Sequence, residues 1–136
     1  MRKIDKIIVH CSGTSEFQDF DITDIKDWHV NGNGWSDVGY HFIIKLDGTI
    51  QDGRPIKKIG AHVKGKNRSS IGICYIGGMN RDMTDWEDTR TEKQKESLLK
   101  LINDLKKRFP NTIVYGHKDF TNKKLCPSFN AKNEYK

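Results

Sequence analysis

Apolar residues recur along this chain in two rhythms. Compact runs rich in isoleucine and valine occupy residues 6–10, 40–46, 70–76 and 112–115. Their length and β-branched content predict strands, the first and third buried on both faces. The segment 91–109 instead spaces Leu98, Leu101, Ile102, Leu105 and Phe109 three and four residues apart, which predicts an amphipathic helix. Thr91 and Gln94 form a capping-box pattern at its start, and Pro110 stops it. A shorter helix is predicted from Thr23, as N-cap, to about Val30. Ile25 and Trp28 share its apolar face, and the Asn–Gly repeat at 31–34 ends it.

Between these elements the pattern is polar. Asp47 and Gly48 predict a hairpin turn into a short strand at 49–51. Residues 12–21, 54–67 and 80–90 read as loops, and the C-terminal tail can add a helical turn. Strands separated by helices, with one hairpin between them, predict a single α/β domain over residues 1–136: a central mixed β-sheet flanked by helices.

Composition narrows the class. The chain has 136 residues, of which 35% are hydrophobic and 31% charged, enough for one core. No apolar stretch approaches the roughly 20 residues of a membrane span. The N-terminal segment lacks the apolar core of a secretory signal, so synthesis in the cytoplasm is expected, with any extracellular role following release. Three cysteines give no even disulfide framework, so each reads as a metal ligand or a buried thiol. The net charge of +6 favours anionic partners without choosing among nucleic acid, wall polymer and membrane surface.

Candidate chemistry concentrates at predicted strand ends. His117 and Cys126 flank a polar loop after the strand at 112–115, and His10 ends the first strand. Imidazole and thiolate are zinc donors, and three protein ligands leave a position for water or substrate. His62 or His41 completing a closed structural site is the alternative. Strand alternation turns Cys11 away from His10, so Cys11 reads as a small buried hydrophobe, as does Cys74. There is no HExxH helix to supply a glutamate base. Trp28 reads as core, Trp35 as either core or cleft, and Trp86 has no assigned role.

Several stretches together carry a family resemblance: VHCS at 9–12, WSDVGYHFII at 35–44, DGT at 47–49, GAHVKGKN at 60–67, SIGICYIGG at 70–78 and CPSF at 126–129. They resemble the zinc-dependent N-acetylmuramoyl-L-alanine amidases of the bacteriophage T7 lysozyme type, which are similar in fold to the peptidoglycan recognition proteins. The resemblance implies Zn²⁺ held by His10, His117 and Cys126, with Tyr40 and Lys124 catalytic and Lys123 the alternative should the loop register shift. It places His62 on the substrate groove, where Lys64, Asn67 and Trp35 are further substrate-binding candidates, and His41 in a supporting role. Tyr40 is the candidate acceptor for the water's proton. The implied substrate is peptidoglycan and the expected state a monomer. The rival readings are a non-catalytic peptidoglycan-binding module, which the presence of Cys126 argues against, and a nucleic-acid or polymerase-binding protein, for which no motif is present.

Overall fold

The computed structural model describes residues 2–34, 37–122 and 124–136. Strands β1 (Lys6–Cys11), β3 (Phe42–Ile44), β4 (Ile50–Asp52), β5 (Ser70–Tyr75) and β7 (Ile113–Gly116) form one sheet in the order β4-β3-β5-β1-β7. All neighbours are parallel except the β3–β4 hairpin. β1 lies inside the sheet and is buried on both faces, with Ile7, Ile8 and Val9 fully inaccessible.

Alternation along the strands divides the core. Ile7, Val9 and Cys11 of β1 and Ile71, Ile73 and Tyr75 of β5 pack with Leu98, Leu101, Ile102 and Leu105 of helix α2 (Glu92–Arg108). The opposite face carries Ile43, Cys74 and Ile76, which meet Ile25 of helix α1 (Ile22–Asp27) and Val38. Each aliphatic side chain so buried contributes about 1.5–3 kcal/mol. His10 and Gly72 lie on this second face, at the parities of Ile8 and Cys74.

Helix α2 begins as its capping box requires: the Gln94 N–H donates to Thr91 Oγ1 and the Thr91 N–H to Gln94 Oε1. Five sequence expectations change. The α1 N-cap is Asp21 rather than Thr23, because the Asp21 carboxylate accepts the Thr23 and Asp24 N–H groups while Asp24 reaches back to the Asp21 N–H. The α-helix ends at Asp27 and widens into a π-helical turn over Trp28–Gly32; Trp28 stays 37% exposed and packs edge-on against Phe20 instead of entering the core.

The loops at 12–21 and 80–90 also contain structure. β2 (Thr14–Ser15) pairs with β6 (Gly78–Met79) in a separate two-stranded sheet, and Met79 bridges to Trp86. Pairing between two-residue segments leaves no periodicity for sequence reasoning to find. Finally, the strand expected at 40–46 contracts to Phe42–Ile44. Phe42 packs toward α2, whereas Tyr40, two residues earlier, packs on the opposite face with the second cluster. Regular alternation would have sent Tyr40 the other way. The short helix α3 (Ala131–Glu134) lies against β7.

Candidate metal centre

The C-terminal ends of β1 and β7 lie side by side, with Val9 opposite Gly116. His10 and His117 are each the next residue along, and their rings stand 4.7 Å apart. The chain then turns through a short 3₁₀ segment, His117–Asp119, where Asp119 Oδ2 accepts the Gly116 N–H at 2.8 Å. The Lys118 N–H donates to the Cys126 carbonyl at 2.8 Å, which closes the loop and returns Cys126 to the strand ends. Gly116 is required for this return: a Cβ there would lie 2.8 Å from the Pro127 ring.

One ligand atom each from His10, His117 and Cys126 lies within 4.8 Å of the others, so the structure brings together the three residues singled out at strand ends. Two nitrogens and one sulfur form a donor set suited to zinc. Burial, reinforced at His10 by His62, His117 and Lys124, holds the His10 imidazole well below its usual pKa; at His117 burial and then the Lys124 charge lower it. Both rings are therefore neutral, as ligation requires. Burial pushes the Cys126 thiol up, a cost that a bound cation would offset. The Cys11 N–H donates to Cys126 Sγ at 3.0 Å and so stabilises a thiolate there. The residues present fit a divalent metal.

A cleft of about 230 Å³ is lined by two of these donors, His117 and Cys126, with His10 buried behind them. Tyr40, His62 and Lys124 also line the cleft, as does Trp86, which lies against Gly13. No carboxylate lines it among the described residues. The Tyr40 ring lies 5.0 Å from His10, and burial pushes its phenol well above the usual value, keeping it protonated. His62 is pushed down to about 3 by burial first, then by the neighbouring His41 and His117 imidazoles and the Arg2 and Arg54 charges.

The other expected site residues separate. Lys64 is exposed and does not line the cleft. Asn67 Oδ1 accepts the His62 and Val63 N–H groups at 2.8 and 2.9 Å, so it shapes the loop that carries His62. His41 is buried; its Nδ1 accepts the Gly72 N–H at 3.0 Å, and its Nε2 donates to the Lys58 carbonyl at 2.8 Å. Burial, partly opposed by that carbonyl, pulls its pKa down to about 4. Trp35 and Lys123 lie outside the described residues. His29, which lines the cleft and whose Nδ1 accepts the Gly39 N–H at 2.8 Å, has no signal in the sequence pattern.

Fold and site together define an α/β protein built around a candidate metal centre at the carboxyl ends of parallel strands, where open α/β sheets bind ligands. A family model described as N-acetylmuramoyl-L-alanine amidase matches residues 1–129, and the chain belongs to that family. It is 41% identical over 128 residues to the endolysin of Escherichia phage T7, covering 94% of this chain and 83% of that protein. The Klebsiella phage KP32 endolysin is 40% identical over 127 residues, covering 93% of this chain and 82% of the relative. Among solved structures, the N-acetylmuramoyl-L-alanine amidase LysC from Clostridium intestinale superposes with a TM-score of 0.82 at 31% identity, covering 98% of this chain and 82% of that one. Drosophila PGRP-LB superposes with a TM-score of 0.80 at 26% identity, covering 98% and 80%.

Proposed function

We propose that this protein is an N-acetylmuramoyl-L-alanine amidase that hydrolyses the amide joining the lactyl group of N-acetylmuramic acid to L-alanine in peptidoglycan. The observation that carries the proposal is the convergence of His10, His117 and Cys126 on one point beneath a cleft, in a chain of this family. Those three residues would hold zinc. When bound, zinc supplies an electrophile that polarises the scissile carbonyl and lowers the pKa of a water to about 7.

The surrounding side chains then divide the remaining work. Two neutral imidazoles and one thiolate would leave a divalent ion held there with a net positive charge. The hydroxyl of the half-buried Tyr40, protonated at neutral pH, donates toward the oxygen that gains charge as the carbonyl becomes tetrahedral. This favours a donor role for Tyr40 over the proton-accepting role considered from sequence. The Lys124 ammonium brings a second positive group to the same cleft. The chain's net charge of +6 draws it toward an anionic wall polymer, and we read its site of action as the wall, reached after release from the producing cell.

The test is a digest of purified peptidoglycan. Amide cleavage releases new L-alanine amino groups without new reducing sugar ends, and a chelator stops it. New reducing ends, or undiminished release by metal-free protein, would overturn the reading.

A further inference from the structure

His62 has a second set of partners that a groove-lining residue does not require. Its Nδ1 lies 2.8 Å from His10 Nε2, and its Nε2 lies 3.1 Å from Ser70 Oγ. The His62 and His10 rings meet edge to face, with centroids 4.9 Å apart. Ser70, the first residue of β5, is fully buried. We propose that Ser70 and His62 are positioning residues for the metal centre: a hydrogen-bonded chain, Ser70–His62–His10, fixes which nitrogen of His10 faces the ion.

Two directions balance the protons along this chain, and the metal-ligand reading of His10 selects the one that leaves its Nδ1 lone pair free. Two neutral imidazoles bridged at 2.8 Å share one proton between His10 Nε2 and His62 Nδ1. If His10 Nε2–H donates, His62 Nδ1 accepts and His62 carries its own proton on Nε2. That proton goes to Ser70 Oγ, whose lone pairs accept it. The His10 lone pair is then on Nδ1, directed away from His62 and available to the ion. Metal-ligating histidines ordinarily donate their second N–H to a carboxylate, a carbonyl or water. Here a neutral imidazole takes that place, which would orient the ligand without adding negative charge to a centre where Cys126 would supply a thiolate.

The surroundings are shaped for this ring. A Cβ on Gly72 would lie 2.7 Å from His62 Cγ and Cδ2, and one on Gly60 2.8 Å from His62 Cδ2. Both glycines thus leave a slot that the imidazole fills. Asn67 holds the His62 backbone from below, and Arg2 donates to the Ser70 carbonyl at 2.9 Å, which pins the far end of the chain.

The proposal rests on the metal-ligand reading of His10, and two measurements separate its failure from the failure of that reading. In metal-free wild-type protein, ¹⁵N NMR of the histidine rings should show His10 as the Nε2–H tautomer; an Nδ1–H tautomer or a rapid mixture would overturn the chain. Zinc affinity by chelator competition should fall about ten- to a hundredfold in His62→Ala. It should fall in the same direction but less in Ser70→Ala, a smaller change that keeps the ring. Unchanged affinity in both variants would assign His62 to substrate alone. If wild-type protein bound no zinc, the amidase mechanism would fail, and the tautomer measurement would still decide the chain.

Discussion

The Cys11 N–H donates to Cys126 Sγ at 3.0 Å, joining the end of the first strand to a residue 115 positions later. The side chain of Cys11 meanwhile packs in the α2-side core. One residue thus serves the core through its side chain and the site through its backbone. The N–H is aimed at the sulfur whatever side chain position 11 carries, so the thiolate's support is built into the strand.

That bond sets the expected behaviour of Cys126→Ser. The smaller, harder oxygen loses both the soft donor and the matched N–H···S contact, so zinc content and wall lysis should fall together to background. Metal analysis alongside a turbidity assay checks this, and a variant that kept full lysis would remove Cys126 from the site.

Lys124→Ala should separate chemistry from metal binding. The ammonium lines the cleft but is not among the donors. Turnover should drop about 10²–10³-fold, the usual loss for one charge-stabilising donor, while zinc affinity holds. A parallel loss of zinc would make Lys124 a structural residue.

Gln94→Leu tests how α2 is fastened to the sheet. Gln94 is fully buried, its Nε2 donates to the Ile76 carbonyl at 2.9 Å, and its Oε1 accepts the Thr91 N–H. Leucine would leave a buried carbonyl and an N-cap N–H without their partner, at about 2–3 kcal/mol. Chemical denaturation of the variant checks the figure; a loss under about 0.5 kcal/mol would show that other groups or water replace the amide.

The Arg90 cluster should govern acid stability. Arg90 is nearly buried, lies over the Phe129 ring at 3.4 Å, and bridges Asp88 at 2.9 Å and Glu134 at 2.7 Å. At Asp88 burial works against ionisation, but the Arg90 hydrogen bonds and charge outweigh it and lower the pKa; at Glu134 the Arg90 hydrogen bond leads the lowering. Carboxylates lowered in the folded state stabilise it above their unfolded values of 3.8 and 4.5, and that contribution disappears as pH falls through the folded values. The melting temperature should therefore drop below about pH 4.5, less steeply in Glu134→Gln, which should already be destabilised at neutral pH. Parallel acid profiles for the two proteins would remove Glu134 from this role.

The chain's local pattern determines those elements whose energetics are local. Helix α2, its capping box and its stop at Pro110 follow from periodicity and end chemistry within one stretch. The buried strands follow from isoleucine- and valine-rich runs, and the mixed sheet from their order. The positions of His10, His117 and Cys126 are legible as zinc-type donors at or just past strand ends, which groups them as one candidate site, and the family resemblance implies the same set.

Other features depend on contacts between distant segments. Only the tertiary structure could pair β2 with β6, turn Tyr40 onto the face opposite Phe42, draw His29 to the cleft, or place His62 against both His10 and Ser70. Local sequence fixes which backbone shapes and burial patterns are favourable, because those energies arise within a few residues. Which ring nitrogen meets which partner is set by the packing of β1, β5, β7 and the loop at 60–67 against one another, a relation that no single stretch contains.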